Sequence, residues 1–179
     1  MMKVFLTGLA AAATLALCAA DPALASDATG NDNLVTEAAM GDFYDRAGTT
    51  TLAAGDYRWF SDAAGDDVEI VVDLSEQLAF VYDGADLVAV STVSTGKKGH
   101  ETPTGSFEIL QKNEEHYSNL YDNAPMPFMQ RLTWDGIALH AGAVKDQPAS
   151  HGCVRLPHEF AEKLFGVTKT RQTMVHVVA

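Results

Sequence analysis

From residue 68 to residue 94 the chain reads as three short runs rich in β-branched and aromatic residues, parted by turn signals. This pattern restricts the fold more than any other stretch. Val68-Glu69-Ile70-Val71-Val72-Asp73-Leu74 is followed, across a turn at Ser75-Glu76, by Gln77-Leu78-Ala79-Phe80-Val81-Tyr82. Asp83-Gly84 is a hairpin turn signal, and residues 86–94 resume the alternation. Such text predicts a mainly-β domain. The remainder agrees. Residues 95–105 predict a loop, 106–110 a strand, and 113–130, with Pro125 and Pro127, a long loop of the kind that is often functional. Residues 131–134 and 137–140 predict a hairpin around Asp135-Gly136. The clearest helix is 157–165. Pro157 suits its first turn, Phe160, Leu164 and Phe165 share a face, and Gly166 can end it. Residues 173–178 predict a last strand.

The N-terminus is of another kind. After Met1-Met2-Lys3 the chain is almost wholly apolar to Ala20, and Ala23-Leu24-Ala25 follows. A short basic start, an apolar run and an A-x-A site predict a secretory signal peptide over residues 1–25, cleaved after Ala25. As a membrane anchor the run is near the lower length limit, and it ends in small residues rather than a basic stop. No membrane span is therefore expected after cleavage. The expected location is the periplasm or cell envelope. Residues 26–55 lack a sustained apolar period and are acidic, which predicts a flexible lead segment with a short amphipathic helix around 34–43. Residues 56–179 suffice for a single domain with its own core.

Charge excludes one class of partner. There are 24 Asp and Glu against 12 Lys and Arg, a formal net charge of −12. Nucleic-acid binders need basic patches, so nucleic acid is not an expected partner.

The two cysteines carry more. Cys18 lies in the expected signal peptide after Leu17, whereas a lipoprotein signal places a small residue before its cysteine. Its removal leaves Cys153 alone. A lone thiol in an exported protein cannot form an internal disulfide, so it is either buried and inert or kept for reactivity. Here it stands in Pro148-Ala149-Ser150-His151-Gly152-Cys153-Val154-Arg155-Leu156, polar and flexible on its N-terminal side. A second imidazole, His140, lies thirteen positions upstream in Ile137-Ala138-Leu139-His140-Ala141-Gly142. Nucleophilic attack on a carbonyl needs a thiolate, and a nearby imidazole can hold the thiol ionised near neutral pH.

These residues carry a resemblance. Ser150-His151-Gly152-Cys153-Val154-Arg155 resembles the signature of the L,D-transpeptidase (YkuD-type) catalytic domain. Ile70-Val71-Val72-Asp73-Leu74-Ser75-Glu76-Gln77 resembles its opening strand pair. Ser94-Thr95-Gly96-Lys97 and Glu101-Thr102-Pro103-Thr104-Gly105 resemble its central loop, and Leu139-His140-Ala141-Gly142 its histidine strand. The resemblance covers about residues 56–179. It implies a β-sandwich or barrel with one helix after the nucleophile loop, acting on peptidoglycan stem peptides in a bacterial envelope without a cofactor. Two departures stand out. Arg155 occupies a position where many members carry asparagine, and the short His140-to-Cys153 spacing implies a trimmed loop at 142–149.

The resemblance implies roles. Cys153 attacks a tetrapeptide stem, D-alanine leaves, and the thioester passes to an amine or to water. A stem amine gives a 3-3 cross-link, the favoured outcome. An outer-membrane lipoprotein lysine gives an anchor, and water gives trimming by a carboxypeptidase; loss of existing dimers would instead mark an endopeptidase. His140 is the candidate base, its other ring nitrogen held by a backbone carbonyl, Ala141 being the candidate. The N–H groups of Gly152 and Cys153 are expected to form the oxyanion hole. Ser150 is expected to fix the loop by a local bond, and His151 to orient the site or act directly. Arg155 is expected to meet a substrate carboxylate or an internal acid. Trp134, Tyr121 and Met129 are candidates to line the cleft. His100, His116, His158 and His176 are expected to be incidental. Two readings of other classes remain: a non-catalytic wall-binding module, and a zinc site built from His140, His151, Cys153 and His158. No metal is expected, because the spacings match no familiar zinc template.

Overall fold

The computed structural model describes residues 32–62 and 67–179. The expected signal peptide at 1–25 lies outside the described residues. In chain order the elements are α1 (Asp32–Ala47), β1 (Tyr57–Trp59), β2 (Val68–Asp73), β3 (Leu78–Asp83), β4 (Asp86–Thr92), β5 (Gly105–Glu108), β6 (Gln111–Tyr117), β7 (Pro125–Arg131), β8 (Ala138–Ala141), β9 (Val154–Leu156), α2 (His158–Val167) and β10 (Met174–Val178). They form a six-stranded sheet in the order β1-β4-β3-β2-β10-β5 and a four-stranded sheet in the order β6-β7-β8-β9.

The mainly-β expectation holds, and the strands at 68–94 are β2, β3 and β4, paired antiparallel in succession. Local chemistry makes their turns. The Asp73 carboxylate accepts the N–H groups of Ser75 and Glu76, each at 2.8 Å, and so folds the β2–β3 connection. Gly84, at φ +58°, takes the left-handed conformation that the β3–β4 turn requires. The last strand, β10, inserts parallel to β2 and antiparallel to β5. The helix expected at 157–165 is α2, with Pro157 at its N-cap.

The core lies between the sheets. Ile70, Val72, Val81, Val175 and Val177 from one sheet meet Leu139, Ala141, Val154 and Leu156 from the other, together with Phe160, Ala161 and Leu164 of α2. The alternate residues of the larger sheet, Val71, Phe80, Val90 and Val178, belong to a second apolar cluster beneath α1. That sheet is therefore buried on both faces. This is why its strands read as near-continuous apolar runs rather than as a simple alternation.

Two expectations need correction. Part of the lead segment expected to be flexible is the sixteen-residue helix α1, longer than the helix suggested at 34–43. Val35, Ala39 and Phe43, spaced by four, form a narrow buried stripe. The sheet supplies the missing apolar partners, and Phe43 meets Phe80 edge-on with ring centroids 6.5 Å apart. Polar contacts fasten the helix too. Thr36 Oγ1 donates to the Asp73 carboxylate, and Tyr82 Oη donates to Asp42 at 2.9 Å. The second correction is at 113–130, where the expected long loop is largely the antiparallel pair β6–β7. β6 is polar along its length, so it shows no apolar period. Pro125 and Pro127 are tolerated because β8 pairs only with Gln130 and Arg131, leaving one edge of β7 without a ladder at the prolines.

Candidate active site

The segment carrying Cys153 is stitched to the loop after β4. Ser94 and Arg155 exchange backbone hydrogen bonds, Ser94 N to Arg155 O at 3.1 Å and Arg155 N to Ser94 O at 3.0 Å. Thr95 O accepts the N–H groups of Ala149 and Ser150, each at 2.9 Å, and Lys97 N donates to Ser150 O at 3.1 Å. Thr95 is itself held by Gln77, whose Nε2 donates to Thr95 Oγ1 at 2.6 Å and whose Oε1 accepts Thr95 N–H at 3.0 Å. Buried Thr102 closes the loop. Its hydroxyl accepts from Gly96 N and donates to Gly152 O, each at 2.8 Å. Gly96 is required here, because a Cβ would fall 2.0 Å from His100 O. Gly152 is required for two reasons. Its φ is +114°, and a Cβ would stand 2.7 Å from Ile137 Cδ1.

Ser150 fixes the nucleophile turn from within. Its hydroxyl donates to Cys153 O at 2.5 Å and accepts Gly152 N–H at 3.1 Å. The second bond engages the Gly152 N–H, one of the two expected oxyanion donors. Cys153, the free cysteine among the described residues, is partly buried and packs with Met126, Met129 and Ala138. Its thiol donates to Gly136 O, in the β7–β8 turn, at 3.4 Å.

His140 stands on β8, opposite Arg155 of β9 in the parallel register. Its Nδ1 lies 2.8 Å from Ala141 O. A carbonyl only accepts, so Nδ1 carries the proton and Nε2 is the basic nitrogen. Burial pushes the His140 pKa down to about 4. The Arg155 guanidinium and His116 add to this, and the Ala141 carbonyl opposes it. Burial likewise raises the Cys153 thiol, against the opposing pull of the Ala138 backbone, Arg155 and Arg131. Both shifts have the dryness of the site as their main cause, and both favour the neutral thiol and the neutral imidazole over the ion pair.

A cavity of about 760 Å³ collects the chemistry. Cys153, His140, Ala141, Ser150, His151, Arg155, Tyr121 and His158 all line it, with Met126 and Pro127 of β7 among its apolar walls. Arg155 faces it with no carboxylate partner among the described residues. Gly142 gives the Arg155 stem room, since a Cβ there would meet its Cγ and Cδ at 3.2 Å. His151 sits at the rim. It stacks on Tyr121 at 4.6 Å, meets His100 edge-on at 4.8 Å, and its Nε2 is 3.2 Å from Lys97 Nζ. Trp134 and Met129, together with His116, line an adjoining cavity of about 300 Å³, which shares Ser118 and Met126 with the larger one. Among the described residues, no group of three or more His, Cys, Asp or Glu side chains is placed to hold a metal. Thr102, Thr95 and Gln77 are the contributors that sequence reasoning left without a role. Their only signal was membership of the loop and strand text that carried the resemblance.

A partly buried thiol and a buried imidazole face one cavity on a two-sheet β fold. The chain belongs to the YkuD family, the L,D-transpeptidase catalytic domain, whose model matches residues 67–177. It is similar in structure to an L,D-transpeptidase from Mycobacterium smegmatis, with a TM-score of 0.59 and 22% identity over 63% of this chain and 59% of that one. An L,D-transpeptidase from Stackebrandtia nassauensis gives a TM-score of 0.57 and 28% identity over 65% of this chain and 58% of that one. L,D-transpeptidase 3 from Mycobacterium tuberculosis, solved in complex with a faropenem-derived adduct, gives 0.56 and 22% over 63% and 60%. The chain therefore spans less than two thirds of the length of these proteins. No curated protein matches it.

Proposed function

We propose that this chain is a cysteine-dependent peptidoglycan L,D-transpeptidase exported to the cell envelope. The observation that carries the reading is the placing of Cys153, His140 and Arg155 on the wall of one cavity large enough for a peptide. Family membership supports the substrate class, and the sequence of residues 1–25 supports export.

The tetrapeptide stem lies in the larger cavity, its terminal carboxylate paired with the Arg155 guanidinium. The thiol turns from Gly136 O to His140 Nε2 and gives up its proton as Sγ attacks the carbonyl carbon. The Cys153 N–H holds the oxyanion, since the Gly152 N–H is engaged by Ser150. The C–N bond breaks, His140 returns its proton to the departing D-alanine amine, and a thioester remains. An acceptor amine then attacks, His140 takes its proton, the new amide forms, and sulfur leaves and is reprotonated. The thioester retains the energy of the broken amide, so no nucleotide is consumed. His151 acts at the rim as an orienting group.

A neighbouring stem amine is the acceptor in this reading, giving 3-3 cross-links. The test is incubation with purified disaccharide-tetrapeptide followed by mass spectrometry of the products. Dimers joined through two third-position residues are expected. Tripeptide monomers alone would replace the reading with a carboxypeptidase, and transfer only to a lipoprotein lysine would make the enzyme an anchoring one.

A further inference from the structure

The smaller cavity is unused by the mechanism. It reaches close to Cys153, because the carbonyl that receives the Cys153 thiol belongs to Gly136, one of its lining residues, and it shares Ser118 and Met126 with the larger cavity. Its volume of about 300 Å³ suits one compact ring rather than a length of peptide. Two of its walls are large apolar side chains left in solvent. Trp134 is 70% exposed and Leu120 is 67% exposed. A large indole held open to water at a cavity mouth is expected to have a ligand. Polar residues stand beside it, namely Asn119, Asp135 and Arg131, whose Nε donates to Gln111 Oε1 at 3.1 Å.

Both walls are held in place by their own hydrogen bonds. In the β7–β8 turn Ile137 N donates to Thr133 Oγ1 at 3.1 Å and Gly136 N to Thr133 O at 3.3 Å. In the β6–β7 turn the hydroxyl of Ser118 accepts Leu120 N at 3.2 Å and Tyr121 N at 3.0 Å. The two turns also touch. A Cβ on Gly136 would lie only 3.2 Å from Leu120 Cδ1. The site is preformed, which lowers the ordering entropy lost on binding.

We propose that this second cavity is a glycan subsite that holds one N-acetylated pyranose of the strand bearing the stem peptide. The inference rests on the transpeptidase reading and adds to it a contact with sugar. A pyranose presents a face of axial C–H groups, which suits the negative face of the Trp134 indole. Its rim of hydroxyls and its acetamido group match the carboxylate, amide and guanidinium of Asp135, Asn119 and Arg131. A peptide acceptor would need no flat exposed ring. With the sugar on Trp134, its attached stem is delivered next to the sulfur.

The test uses the whole protein and N-acetylchitotetraose as probe. The chain has two tryptophans, Trp59 and Trp134. Trp59 packs against Phe160, so a saturable fluorescence change on titration reports Trp134. W134A is expected to weaken binding at least 10-fold, W134F to restore much of it, and D135A to weaken it. Y44A, on α1, serves as a distant control and is expected to bind as the wild type does. In turnover, W134A should lower kcat/KM at least five-fold more on disaccharide-tetrapeptide than on free tetrapeptide. Absence of saturable binding, or binding that W134A leaves intact, overturns the proposal. So does an equal loss on both substrates, which assigns the cavity to peptide. The binding assay needs no turnover, so a protein that binds the saccharide but is not acylated at Cys153 would refute the enzyme reading and not this one.

Discussion

Burial sets the protonation of the Cys153–His140 pair, and this has a kinetic consequence. The thiol is raised by its dry surroundings, and the imidazole is pushed down to about 4. Above about pH 4 the imidazole is already the base it needs to be, so the thiol alone governs the neutral range. The sign follows: the thiolate fraction rises with pH and is not saturated near 7. Acylation by faropenem, followed by stopped-flow absorbance, should therefore accelerate steadily from pH 6 to 9. A flat profile over that range would mean a preformed ion pair. H140A should slow acylation about 10²-fold or more. If H151A is crippled and H140A is normal, the two histidines have been assigned the wrong way round. At this scale the sequence was informative about residue types, and the resemblance also pointed to the Ala141 carbonyl that holds His140. The thiol and imidazoles are visible in the text. The engagement of Gly152 N–H by Ser150, and the bridge from Thr102 to Gly152, depend on hydrogen bonds that follow only from the folded loop.

At the scale of elements, β2, β3, β4 and α2 were legible because apolar content and turn residues agree there. β6 was not, because its alternation is polar on polar. α1 was legible only in part, since the three of its sixteen residues that are buried, Val35, Ala39 and Phe43, become a docking face only when the sheet is present. Its attachment can be measured. F43A removes a fully buried ring set against Phe80. It should destabilise the fold by about 3–5 kcal/mol in urea unfolding. A loss under 1 kcal/mol would mean that α1 docks without contributing to stability. α2 has its own polar support. Lys112 Nζ donates to Phe165 O at 2.5 Å and Thr168 O at 2.6 Å, closing the helix C-terminus with a cation from the other end of β6.

The whole molecule places the site on a seam. His140 rides on β8 of the smaller sheet, while the nucleophile turn is fastened to the loop that leaves the larger sheet after β4. The shared core thus sets the distance between the Cys153 thiol and the His140 imidazole. The charge distribution also matters at this scale. The chain carries a net −12, yet Lys97 and Arg155 stand at or beside the cavity mouth. An anionic ligand would be drawn to that mouth and repelled elsewhere. The central claim is that Cys153 is the nucleophile of this cavity, and intact-protein mass spectrometry after incubation with faropenem tests it most directly. The wild-type protein should gain a single drug-derived adduct that maps to the peptide containing Cys153, and C153A should gain none. An adduct that persists in C153A, or a wild-type protein that stays unmodified, would contradict the account.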